Sequence, residues 1–153
     1  MDQGIVSAFT EAAKNTFRDM FGIDARPMEA SELSRSDEHG WGLTGLVGLA
    51  GSVQGVIAVR FTEEFAGKLL AGSGVHAGSE AERRQLEGGL VGELCNIIAG
   101  AASSSGGLDF EIAPPVVVRG PNHKIGWPNI APVIALGFEV EAGSFEVDIC
   151  AKR

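Results

Sequence analysis

The chain has 153 residues, 44% of them apolar and 21% charged, a length and balance that suit one folded domain over residues 1–153 and exclude a disordered chain. Twelve Lys and Arg against 20 Asp and Glu give a formal net charge of -8 with the acids scattered, which argues against nucleic acid or an anionic membrane surface as partner. No apolar run nears the roughly 20 residues of a bilayer span, no export signal opens the chain, and Cys95 and Cys150 share no metal or redox spacing, so a reduced, cytoplasmic setting is expected.

Residues 4–21 place Ile5, Phe9, Ala12, Ala13, Thr16, Phe17, Met20 and Phe21 three and four apart, the pattern of a helix with one buried stripe, and Gly22 supplies its stop. Residues 23–40 are weakly periodic and read as a strand fragment plus loop, ending in "SRSDEHG". The stretch 41–61 is rich in Leu, Val and Ile and is broken at Gly51 and Gly55, which predicts an antiparallel hairpin. A short helix follows, with Thr62 as N-cap and Glu63 and Glu64 in its first turn. Ser79 and Glu82 have capping-box spacing, so a long helix is expected from there to about Ala102. "LDFEIAPPVVV" reads as a strand whose Pro114 and Pro115 place it at an edge or bulge. "RGPNHKIGWPN" is a loop, and two strands around Gly143 close the chain, with Phe145, Val147 and Ile149 alternating against Glu146 and Asp148. Helices and adjacent antiparallel strands in this order predict an α+β sheet with the two longer helices packed across it.

The long helix carries the candidate site. At about 100° per residue, Leu86, Leu90, Leu94, Ile97, Ile98 and Ala101 gather into a stripe expected to face the core. Gly88, Gly89, Gly92, Asn96, Ala99 and Ser103 fall opposite, and Glu93 borders Asn96 because the two are three apart. Interior glycines weaken a helix by about 1 kcal/mol each relative to Ala, so a face this small suggests that another surface comes close. Either a partner docks there around Glu93 and Asn96, or the helix is sandwiched and the small residues pack internally.

"VGELCNIIAG" resembles the signature helix of the CheX-like domain in the CheC, CheX and FliY class of chemotaxis phosphatases. "AFTEAAKNTFRDMFG" is similar to that family's opening helix, "LTGLVGLAGSVQGVIAVRF" to its Gly-rich strand pair, "APPVVVRG" to the strand after the signature helix and "FEVDI" to its final strand, so the likeness covers nearly the whole chain in order. The resemblance implies a two-layer CheC-like fold and hydrolysis of the aspartyl phosphate on a CheY-type response-regulator receiver domain. It maps the catalytic pair onto Asn96, which would orient water, and Glu93, which would pair with the receiver's active-site lysine. Gly89, Gly92, Ala99, Gly100 and Ser103 would meet the partner. Magnesium would belong to the receiver, with no cofactor in this chain, and a homodimer is implied. Many members carry an acidic or hydroxyl residue four positions before the Glu, where this chain has Gly89. The first helix lacks E-x-x-N, since Glu11 and Asn15 are four apart, so one active centre is expected. The alternative is a noncatalytic module that recognises a signalling partner through the same face.

Other polar residues carry less. His39, His76 and His123 lie in three loops without ligand spacing and read as surface histidines. "GSVQG" and "GSGVHAGS" match neither a Walker loop nor a dinucleotide fingerprint. Ser103 to Ser105 have no His and Asp pattern near them, and Trp41 and Trp127 read as core edges or interface anchors.

Overall fold

The computed structural model describes residues 2–33 and 40–153; most of the polar run before Gly40, with His39, lies outside the described residues. The first helix, α1 (Gln3–Phe21), starts where the Asp2 carboxylate accepts from the Ile5 N–H at 3.1 Å. It stops at Gly22, whose φ of 65° lets its N–H reach the Arg18 carbonyl, a backbone setting that disfavours any side chain. Ile5, Phe9, Ala12, Ala13, Thr16 and Phe17 are buried as the spacing predicts, whereas Met20 is 42% exposed at the end of the stripe.

Two short strands, β1 (Arg26–Pro27) and β2 (Ser31–Glu32), then run along one edge of the sheet. The expected hairpin is β3 (Leu43–Gly51) and β4 (Gln54–Phe61), turning at Ser52 and Val53. Thr62 caps α2 (Glu63–Gly72), its hydroxyl accepting from the Phe65 N–H at 3.1 Å. Ser79 caps α3 (Glu80–Ser104) by accepting from the Glu82 N–H at 3.1 Å. The proline-containing stretch forms two pieces, β5 (Phe110–Ile112) and β6 (Val116–Arg119), both paired to β3 and separated by Ala113, Pro114 and Pro115, which offer the ladder one N–H among them. The hairpin β7 (Ile134–Val140) and β8 (Gly143–Lys152) completes the order β1-β7-β8-β4-β3-β5, with β2 also on β7 and β6 also on β3; every pairing is antiparallel.

The fold is thus α+β, with the helices on one face of the sheet. Period-2 alternation places Leu43, Val47, Ile57, Val59, Phe61, Val147 and Ile149 against them. Phe145 is the hub: its ring stacks on Phe17 of α1 at 4.1 Å and on Phe138 of β7 at 4.8 Å, and Phe61 and Phe65 surround it. Each such pair adds about 0.5–1.5 kcal/mol beyond area burial.

The opposite face of the sheet departs from the sequence expectation. Alternation with Phe145, Val147 and Ile149 marks Asp148 as outward, yet it is fully buried, as are Thr44, Arg60 and Cys150 on the same face, because the loop 120–133 folds over this side. The Cys150 thiol lies 3.3 Å from the carbonyls of Pro128 and of Ala131. His123 is therefore no free surface histidine: its Nδ1 lies 2.7 Å from the Gly120 carbonyl and its Nε2 lies 2.7 Å from the Thr44 hydroxyl. Arg60 donates from Nε to that same hydroxyl at 3.3 Å and approaches Asp148 at 3.5 Å.

Candidate functional site

Helix α3 is turned by about a quarter turn from the orientation its apolar stripe suggests. Its buried residues are Glu87, Val91, Gly92, Leu94, Cys95, Ile98, Ala99 and Ala102. Leu86, Leu90 and Ile97, expected in the core, are only half-buried. The cause is close packing on β3: a Cβ on Gly45 would lie 3.1 Å from the Val91 carbonyl oxygen and 3.2 Å from the Cys95 Cβ. A glycine in β3 thus lets the Val91–Cys95 side of the helix sit directly on the sheet, nearer than any side chain at Gly45 would allow.

This setting divides the small residues of α3 into two groups. Gly92 and Ala99 face inward, and a Cβ on Gly92 would lie 3.3 Å from Val117 Cγ2, so β6 already covers that side. The Ser103 hydroxyl donates to the Leu108 and Phe110 carbonyls at 3.0 and 3.2 Å and is committed to the chain leading into β5. Gly89 and Gly100 face outward, and a Cβ at either position would meet nothing within 4 Å. The smooth outward strip is therefore narrower than the spacing suggests: internal packing requires the small residues of one group and leaves those of the other unexplained.

Glu93 stands exposed on this strip, one turn from Gly89 on one side and Asn96 on the other. Asn96 is half-buried, and among the described residues its carboxamide oxygen Oδ1 is buried with no hydrogen-bond partner. Leaving a buried polar atom unpaired costs about 1–3 kcal/mol, so such an atom calls for a reason. A half-turn of χ2 exchanges the oxygen with the NH2 group, so the amide can offer either an acceptor or a donor at the surface. Beside the strip, Ile97 and Ala101 line an open groove of about 780 Å³ shared with Glu11 and Asn15 of α1. Neither α1 residue joins the Glu93 and Asn96 strip.

Among the described residues no group of three or more His, Cys, Asp or Glu is arranged to hold a metal ion, and His76 is exposed in a loop. Trp41 and Trp127 are both half-buried. No helix among those described is long and apolar enough to cross a membrane. Cys95 and Cys150 are free thiols, and burial pushes that of Cys95 up to about 12.

One constellation beside the site escaped the sequence reading. The carboxylate of Glu87, fully buried on α3, accepts from Arg83 Nη1 at 2.6 Å and from Arg119 Nη2 of β6 at 3.1 Å. Arg119 also binds Glu63 of α2 and donates to the Arg84 carbonyl at 2.9 Å. The four-residue spacing of Arg83 and Glu87 is a visible ion-pair signal, but nothing local ties Arg119, 32 residues later, to the same carboxylate.

Residues 43–139 match the family described as Chemotaxis phosphatase CheX. The CheY-P phosphatase CheX of Thermotoga maritima is 31% identical over 129 residues, 82% of this chain and 81% of that protein. A chemotaxis protein CheX from Desulfovibrio desulfuricans superposes with a TM-score of 0.81 at 29% identity, covering 97% of this chain and 99% of that one. The CheX in a CheX-CheY-BeF3-Mg2+ complex from Borrelia burgdorferi shares the fold with a TM-score of 0.80 at 24% identity, covering 97% of both chains. With the matched segment spanning most of the sheet and all of α3, this chain belongs to the chemotaxis phosphatase CheX family.

Proposed function

We propose that this chain is a phosphatase that hydrolyses the aspartyl phosphate of a CheY-type receiver domain, working as one domain over its whole length with Asn96 and Glu93 as its catalytic pair. The observation that carries the assignment is the uncommitted Asn96 carboxamide beside an exposed Glu93, on a strip where Gly89 and Gly100 have empty space before them. Family membership and the Thermotoga maritima relative support the activity and the class of partner.

An acyl phosphate is already activated, so the enzyme has only to place a water in line with the breaking bond and keep it there. The water oxygen bonds to phosphorus as the bond to the receiver's carboxylate breaks, returning aspartate and inorganic phosphate. A carboxamide suits this task because it accepts from the water without bringing negative charge toward the phosphoryl group. Glu93 pairs with the receiver's active-site lysine and holds the register. The magnesium ion belongs to the receiver, as the Borrelia burgdorferi complex suggests, and lends positive charge to the phosphoryl oxygens there. Gly89 and Gly100 let the receiver come close, while Gly92, Ala99 and Ser103 act from beneath by holding α3 to β6 and β5. With Gly89 where relatives carry a polar residue, engagement rests on Glu93 and the backbone of the strip.

The protein acts in the cytoplasm, where receiver domains are charged, and as a homodimer. The free side of β6, where Val116 is 60% exposed, supports pairing between copies. The test is a dephosphorylation time course of receivers from the same genome, with and without this protein and its Asn96→Ala variant. The wild type should accelerate decay and the variant should not. Binding without faster decay would replace this reading with the noncatalytic one.

A further inference from the structure

We infer that Glu87 and Arg119 are positioning residues that lock the rotation of α3, and so bring Glu93 to the middle of the outward strip beside Asn96 while keeping Cys95 and Gly92 covered. This purpose rests on the phosphatase reading above; the lock itself does not.

Apolar burial alone leaves the rotation of α3 open. Leu94 and Ile98 are core under either setting, but the observed one buries Val91 and Cys95 and leaves Leu86, Leu90 and Ile97 half-buried, although the latter three are the larger hydrophobes. A helix with apolar residues around most of its girth has competing settings separated by little transfer free energy. Directional contacts must choose between them, and those contacts converge on one carboxylate. Glu87 is fully buried and is held by Arg83 from its own helix and by Arg119 from β6. A Cβ on Gly67 of α2 would lie 3.1 Å from Glu87 Oε2, so α2 closes the third side.

Arg119 fixes this carboxylate from outside the helix. Its guanidinium is itself held by Glu63 and by the Arg84 carbonyl, and its strand places Val117 over Gly88 and Gly92. Turning α3 by a quarter turn would carry Glu87 away from Arg119 and leave the buried carboxylate with Arg83 of its own helix alone, a loss that the apolar exchange does not offset. Glu87 thus supplies orientation where hydrophobic pattern does not.

The lock can be opened without leaving a buried charge uncompensated. Glu87→Leu combined with Arg119→Met removes both ends, and replacing a buried ion pair by apolar residues is commonly neutral or stabilising, so the melting temperature is expected to stay within about 3 °C of wild type or rise. Cys95 reports the rotation. Its side of the helix is sealed in the observed setting and turns toward the surface when Leu86, Leu90 and Ile97 turn inward. Alkylation of Cys95 by iodoacetamide under native conditions, located by peptide mass mapping to separate it from Cys150, should rise at least tenfold in the double variant. Dephosphorylation of a charged receiver should fall at least tenfold in kcat/KM. Cys95 as protected as in wild type would overturn the lock, whatever the activity does. Faster alkylation with undiminished dephosphorylation would support the lock and overturn the catalytic assignment of Glu93 and Asn96. If the double variant does not fold, Glu87→Gln, which keeps the shape and one acceptor oxygen, should raise alkylation at least twofold, and no change there overturns the inference.

Discussion

Two polar constellations of similar composition sit on opposite sides of this molecule. Under the loop 120–133, Thr44, Arg60, Asp148 and His123 are joined by contacts of 2.7–3.5 Å, the first three fully buried and His123 half-buried over them. On the outward strip of α3, Glu93 has solvent before it, Asn96 has an oxygen without a partner, and the flanking glycines face open space. The first group is committed to the chain and holds a loop onto a sheet; the second is committed to nothing the chain contains. Both groups keep a buried polar atom without a hydrogen-bond partner, Asp148 Oδ1 in the first and Asn96 Oδ1 in the second, so what distinguishes the second is its place at the surface, beside an exposed carboxylate and open space.

Separating stability from activity breaks or sharpens this contrast. Asn96→Ala should lower the dephosphorylation rate at least about 100-fold, about 2.7 kcal/mol in the barrier, with no loss of melting temperature because no internal bond is broken. A parallel loss of stability and rate would show that the amide is structural. Gly45→Val should act the other way: its side chain collides with the Val91 carbonyl and Cys95, and overpacking of this kind costs about 1–3 kcal/mol by denaturant unfolding. Gly89→Leu should raise stability by about 0.7 kcal/mol, since Leu favours helix and meets nothing there, yet lower kcat/KM about tenfold by filling the space the receiver needs. Unchanged kcat/KM would remove Gly89 from the interface.

Local chemistry made most of the architecture readable. Both N-caps, Thr62 and Ser79, the Gly22 stop, the edge placement of Pro114 and Pro115 and the alternation in β8 depend on near neighbours in sequence, and the elements they mark formed where expected. The rotation of α3 was not readable, because Gly45 and Arg119, which select it, lie far along the chain and Leu86, Leu90 and Ile97 outweigh the true core side in bulk. Asn96 stays on the outward side in either setting, whereas Glu93, at the border of the expected one, comes to the middle of the observed one. Asp148 reads as solvent-facing by alternation; only the cover supplied by residues 120–133, a stretch with no regular pattern, makes it core, together with Arg60 beside it.

Asp148 offers a direct test of what the constellation under the loop is. Burial, with Glu146 beside it and only partly opposed by Arg60, pushes its carboxyl up to about 9. The 3.5 Å approach of Arg60 is long for a charge-assisted bond, and Oδ1 is buried without an ionic partner, both of which suit a neutral acid able to donate to Glu146. The folded chain therefore keeps this proton at pH values where the unfolded chain, with an ordinary aspartate near 3.9, has released it. Native protein binds more protons across that window, so stability should fall as pH rises from about 4 toward 9, with a slope of at most about 1.4 kcal/mol per pH unit. Thermal unfolding of wild type and Asp148→Asn at pH 6, 7.5 and 9 checks this. The asparagine variant, neutral throughout, should already be more stable than wild type at pH 6, with a margin that widens toward pH 9. An ionised Asp148 paired with Arg60 predicts the reverse, a variant severely destabilised already at pH 6 because the Arg60 charge would be left buried without its counterpart.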